Sequence, residues 1–215
     1  MRPEHSRATF DVLFLGDWNM QGGTFHSARN MILASLRQGR TVGVVNYPRY
    51  EYDVAAHMRY EVRAFLQQHD IPVIVAGETV QAKTVVVTYP AVLDYFMDRF
   101  PTIEHERLVV VVNQMAERDV LGRDIAYRPE VVRRHLVEYF GGEGDWVPIS
   151  NRVRALMEQD ARYPKPHSDT WTPMIAADEW LAAGPSHWRG RERRLPILGR
   201  HGRDHKLKWP GEAKA

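Results

Sequence analysis

The chain of 215 residues contains no cysteine. That excludes disulfides, thiolate zinc sites and cysteine nucleophiles, and it suits a reducing compartment. Long apolar stretches are missing as well. The longest run to about six residues, against the roughly 20 that a membrane-spanning helix needs. The first seven residues, Met1 to Arg7, are polar and lack the apolar core of a secretory signal. Several catalytic signatures are absent too. No Gly-Lys-Ser/Thr follows a glycine loop, no Gly-x-Gly-x-x-Gly opens a helix, and there is no Gly-x-Ser-x-Gly or His-Glu-x-x-His. No internal repeat or low-complexity tract interrupts the chain.

With 44% apolar residues the chain can bury the core of one domain of about 150–200 residues and carry a tail. The net charge of +2 is small but unevenly spread. From Ser186 onward nine Lys and Arg stand against three Asp and Glu. This makes the C-terminal segment a candidate for facing an anion, with a solvated basic tail as the plain alternative.

The first half alternates apolar runs with helical periodicity. Phe10 to Leu15 reads as a strand covered on both faces. Thr24 can cap a helix with apolar positions Phe25, Ala28, Met31, Ile32 and Leu36, and Gly39 ends it. Strands are expected at 41–45, 72–76, 84–88, 108–112 and 146–149. Helices are expected at 54–68, 91–99, 129–140 and 152–159. Pro129 suits a first helical position, and Ser150 suits a cap. Leu108 to Val112 is the most hydrophobic run and is expected at the centre of the sheet. The order predicts an α/β, doubly wound, mostly parallel sheet. Residues 160–190, rich in Pro, Trp, His and Asp, read as an extended connection.

In such a sheet, ligands collect at the carboxyl ends of the strands. Gly22-Gly23 before the first helix would let the backbone approach an anion at the helix N-terminus, or would simply turn the chain. Asn46 stands where a nicotinamide-binding fold wants Asp or Glu. Tyr47, Arg49, Tyr50 and Tyr52 could stack on a sugar or base, or pack as a surface loop. Asn113-Gln114 are placed to hydrogen-bond a hydroxylated ligand or to tie down a loop. His26 and Tyr89 are further cleft candidates. At the far end, His201, Asp204 and His205 have metal-like spacing, but Arg200, Arg203, Lys206 and Lys208 would repel a cation and favour a phosphate. The aromatics interleaved along a nucleic-acid surface are scarce there, with Trp188 and Trp209 the nearest.

Gly22-Gly-Thr-Phe-His-Ser-Ala-Arg-Asn30, Val109-Val-Val-Val-Asn-Gln114, Tyr127 to Gly141, Trp146-Val-Pro-Ile-Ser150 and Pro196-Ile-Leu-Gly-Arg-His-Gly-Arg-Asp-His-Lys-Leu-Lys-Trp-Pro210 together resemble bacterial glycosyltransferases of the GT-B fold. The likeness is to the retaining, family-four-like group and covers nearly the whole chain. It implies two Rossmann-like domains with a cleft between them. Residues 1–190 would be the acceptor-side domain, with an extended connection from about 160. Residues 191–215 would hold the first strand and phosphate loop of a nucleotide-sugar domain. The reaction implied is sugar transfer from a nucleotide-diphosphate sugar to a glycan or lipid-linked acceptor, without metal or other cofactor. Arg200 and Lys208 would stabilise the leaving diphosphate, and Gly22, Gly23, Arg203 and Lys206 would line the donor. The expected location is the cytoplasm, compatible with the inner face of a membrane, and no nucleic-acid partner is expected. Members of the group carry a complete second domain, so the 215 residues alone are expected to be inactive. A stand-alone module binding a phosphorylated ligand is the alternative.

Overall fold

The computed structural model describes residues 8–19, 23–48, 58–117 and 124–172. In chain order they form β1 Ala8–Gly16, α1 Gly23–Arg37, β2 Val42–Asn46, α2 Tyr60–Gln68, β3 Val73–Ile74 and β4 Thr79–Val87. A 3-10 turn at Pro90–Asp94 follows, then β5 Thr102–Val112, α3 Pro129–Phe140, β6 Asp145–Pro148 and α4 Asn151–Gln159. Among these residues no helix is long and apolar enough to cross a membrane.

The six strands form one sheet in the order β3-β2-β1-β4-β5-β6, and all neighbours are parallel. The chain enters at β1, steps outward through β2 to β3, and returns to β4 on the other side of β1. From there it steps outward again in the opposite direction. That reversal between β1 and β4 is a topological switch point, and the order is that of a Rossmann-like α/β fold.

Successive strand residues face opposite sides, so two cores form. Val12, Phe14, Val44 and Val86 meet Ile32 of α1 and Val62 and Leu66 of α2 on one face. Leu13, Leu15, Val85, Val87 and Val110 meet Val132 and Leu136 of α3, with Tyr127 and Trp146, on the other. Local signals explain the helix ends. Pro129 opens α3, and Gly141 closes it in the left-handed conformation, φ 74°. The Ser150 hydroxyl accepts the Val153 N–H at 3.2 Å and caps α4.

Several expectations are corrected. β5 is not central: it is next to the β6 edge, while β1 and β4 hold the middle. Its apolar run reports cover on both faces, not its place in the order. The expected helix at 91–99 is only the 3-10 turn Pro90–Asp94. The strand expected at 72–76 pairs over two residues, and it passes to β4 through four residues, 75–78, with no crossover helix. There Glu78 N–H donates to the Val75 carbonyl at 3.2 Å, and Val75 N–H donates to the Glu78 carboxylate at 2.6 Å.

The start of the expected extended connection is fixed against the sheet. His167 N–H donates to Trp146 O and Trp171 N–H to Pro148 O, both at 2.8 Å, so residues 167–171 run along the outer side of β6. The Arg154 guanidinium holds this stretch through the His167 carbonyl and the Thr170 hydroxyl. Trp171 reaches the Met31 sulfur of α1 at 3.0 Å. The Tyr163 ring is buried edge-on against Trp146 and Tyr127. The expected domain boundary near residue 190 lies outside the described residues.

Candidate ligand site at the switch point

The carboxyl ends of β1 and β4 touch closely. A Cβ on Gly16 would lie 2.4 Å from Thr88 Oγ1, so only glycine lets the two ends meet in this way. Thr88 then clamps β1: its N–H donates to the Leu15 carbonyl at 2.9 Å and its hydroxyl to the same oxygen at 3.1 Å.

Beyond Gly16 the chain is fixed residue by residue. The Asp17 carboxylate accepts Asn19 N–H at 2.9 Å, an Asx turn. Trp18 is buried, and its indole N–H donates to Val45 O at 2.9 Å. The Trp18 backbone N–H donates to Asn46 Oδ1 at 3.2 Å. Asn46 therefore ties the β1 loop to the end of β2, a role that explains an amide at this position without a ribose. Asn19 Oδ1 accepts the Arg59 backbone N–H at 3.0 Å, just ahead of α2. The Arg59 guanidinium lies 5.6 Å from the ring centre of Phe25, on the first turn of α1.

On the other side of the switch point, Asn113 Nδ2 makes a long 3.5 Å contact to Thr88 O. The Gln114 carbonyl accepts the Tyr127 hydroxyl at 2.8 Å. Four buried side-chain polar atoms among the described residues have no hydrogen-bond partner: Asn19 Nδ2, Arg59 Nε, Asn113 Oδ1 and Gln114 Nε2. All four follow β1 or β5 or precede α2, at the carboxyl edge. A buried polar group left unpaired costs about 1–3 kcal/mol, so a cluster of four calls for a reason. The neighbouring contacts fix both asparagine amides, since Asn19 uses its oxygen on Arg59 N–H and Asn113 its nitrogen on Thr88 O.

Beside this edge a cavity of about 790 Å³ opens between α2 and β3, lined by Val45, Asn46, Met58, Leu66, Ile74 and Phe100 among others. Among the described residues no three His, Asp or Glu converge on a metal-sized space.

The expected site residues fare differently. Asn113 stands at the end of β5 with one amide oxygen unpaired, as a ligand-facing residue would. Gly23 is the first residue of α1 and exposed, and a Cβ there would meet nothing within 4 Å. Among the described residues nothing requires the glycine. His26 is exposed on the same turn, its ring 5.8 Å from that of Phe25. Tyr89 is not on the open edge: its ring is buried edge-on against Tyr127 in the core. Tyr47 is also buried, its hydroxyl donating to Tyr95 O at 2.6 Å and lying 2.9 Å from that of Tyr139, so it cannot stack on a ligand. Burial pushes the Tyr47 phenol far above its ordinary pKa. Gly22, Arg49, Tyr50, Tyr52, Arg200, Arg203, Lys206 and Lys208 lie outside the described residues.

Sequence reasoning missed Asn19 and Arg59. Arg59 falls within the stretch read as a helix over 54–68, where a cation is by default a solvated side chain. In the structure α2 begins only at Tyr60, which leaves Arg59 at the helix entrance, and no local signal in the sequence marks that start.

No family model, curated protein or solved structure matches the chain.

Proposed function

We propose that this chain is the acceptor-side domain of a retaining, GT-B-type glycosyltransferase, which moves a sugar from a nucleotide-diphosphate sugar to a glycan or lipid-linked acceptor. The observation that carries the reading is the pair Asn113 Oδ1 and Gln114 Nε2, one unpaired acceptor and one unpaired donor at the switch point. A hydroxyl group both donates and accepts, so adjacent sugar hydroxyls are the complementary chemistry. The Rossmann-like order and the sequence resemblance supply the rest.

In this mechanism the bond from the anomeric carbon to the diphosphate oxygen breaks, and negative charge grows on the phosphates. Arg200 and Lys208 would stabilise that charge, and Gly22, Gly23, Arg203 and Lys206 are the donor-lining residues that the resemblance implies. The acceptor hydroxyl oxygen bonds to the anomeric carbon on the face the diphosphate leaves, which retains the configuration, and its proton passes to the departing phosphate oxygen.

The test is nucleoside diphosphate release from a panel of sugar nucleotides, using the complete natural reading frame that carries these residues. Arg200→Ala and Lys208→Ala should each lower turnover on the order of 100-fold while the fold survives. Unchanged kinetics in both would remove the reading. Ligand binding with no turnover on any sugar nucleotide would select the alternative, a module that holds a phosphorylated ligand, which the unpaired Arg59 Nε also favours.

A further inference from the structure

The four unpaired atoms are not of one kind. Asn113 and Gln114 offer an acceptor and a donor, but Asn19 Nδ2 and Arg59 Nε are both donors. They are also neighbours, because Asn19 Oδ1 holds the Arg59 backbone N–H at 3.0 Å. That contact occupies the Asn19 amide oxygen and leaves its NH2 group as the unpaired half of the amide. Phe25 carries the guanidinium on its ring, which limits where the cation can point. Two unpaired donors on neighbouring residues, one of them on a cation, are the complement of an oxyanion.

We infer that Asn19 and Arg59 form an anion subsite that takes a phosphate-class group of the ligand, separate from the hydroxyl-reading pair Asn113 and Gln114. Placed on both sides of the switch point, the two pairs define a ligand that is polyhydroxylated at one end and anionic at the other. The sugar part of this statement rests on the reading above, whereas the anion follows from Asn19 and Arg59 alone. The phosphate has two possible sources, the diphosphate of the donor or a phosphoryl group on the acceptor.

Isothermal titration of the 215-residue chain separates them. The probes are uridine and guanosine diphosphate for the first source and glucose 6-phosphate for the second, with glucose as the uncharged control. The wild-type chain should bind at least one anionic probe, and Arg59→Gln should weaken that binding about 10–100-fold, the range for a hydrogen bond to a charged group. Arg59→Lys should fall between the two, since it keeps the charge and loses the Nε donor. Asn19→Ala should lose less than Arg59→Gln. Circular dichroism melts of each variant establish that the fold is retained. Loss confined to the diphosphates assigns the donor, and loss confined to glucose 6-phosphate assigns the acceptor. Equal affinity of wild type and Arg59→Gln for every anion, or no anion binding by the wild type, overturns the subsite. The result does not depend on transfer activity: anion binding that fails in Arg59→Gln stands even if no sugar nucleotide turns over, and turnover insensitive to Arg59 leaves the transferase reading intact while removing the subsite.

Discussion

At the amino end of the strands, polar side chains pair with one another. The Asp11 carboxylate accepts Thr41 N–H and the Thr41 hydroxyl, each at 2.9 Å, and Lys83 at 2.7 Å. Gln81 donates to Glu104 at 2.8 Å across β4 and β5, and Arg107 to Asp145 at 3.0 Å across β5 and β6. At the carboxyl end, Asn19, Arg59, Asn113 and Gln114 each keep a buried polar atom without a partner. One sheet, with the same strands, closes its polar chemistry at one end and leaves it open at the other. Stability alone would favour closing both. The buried polar atoms left without a partner among the described residues thus gather at the carboxyl end, the end where ligands bind in sheets of this order.

The largest effects should come from the backbone contacts that hold the two ends together. Gly144, just before β6, has φ 68°, and a Cβ there would lie 2.8 Å from the Leu108 carbonyl oxygen. Gly144→Ala should cost about 3 kcal/mol in urea unfolding, combining left-handed strain with overpacking. Gly16→Ala, at the other end, faces Thr88 without the dihedral strain and should cost about 1–3 kcal/mol. A Gly16 variant as stable as wild type would mean that the β1 and β4 ends need no such close approach.

A smaller change should follow from Asn113→Leu with Gln114→Leu. These substitutions remove unpaired polar atoms, so stability should shift by less than about 1 kcal/mol, in either direction, while binding of hydroxylated ligands is lost. A large loss of stability would place these amides with the self-paired groups of the amino end.

The amino end makes a prediction of its own. Lys83 first, and then Thr41, hold the Asp11 carboxyl well below the ordinary carboxylate range. A depressed folded pKa stabilises the native state above the unfolded value and loses that contribution as pH falls through the folded one. The melting temperature of Asp11→Asn should therefore lie below wild type at neutral pH, and the gap should narrow on acidification below the carboxylate range. A gap independent of pH would show that the charge is irrelevant there.

The smallest effect on stability is expected at Gly23. With open space around its would-be Cβ, Gly23→Val should leave the melting temperature nearly unchanged and weaken donor binding. Normal donor affinity would reduce the double glycine to a turn.

Much of this architecture was legible in the sequence because its signals are local. Pro129, Gly141 and Ser150 mark helix ends through their own backbone preferences. The apolar halves of the strands stood out as continuous runs. Their amino halves did not. Thr79 to Lys83 and Thr102 to Glu106 alternate in burial because only one face is covered there, so each reads as polar sequence although the ladder includes it. The strand order escaped because hydrophobicity reports cover, not neighbours. Of the residues with an unpaired atom at the carboxyl end, Asn113 was legible as a candidate from its place after an apolar strand. Arg59 was not, since its importance depends on Asn19, 40 residues away in sequence.

The course of residues 167–171 along β6 has a consequence for the sheet as an object among its own copies. A parallel sheet ends in two strands whose outer amides invite another chain to pair with them, the usual first step toward aggregation. On one flank, the outer strand pairs over only two residues, Val73–Ile74, too few to template a partner. On the other, the outer carbonyls of Trp146 and Pro148 already accept N–H groups from His167 and Trp171. Among the described residues, one flank is blunted by brevity and the other by a sheath of its own chain, so neither presents a long edge to which a neighbouring molecule could add a strand.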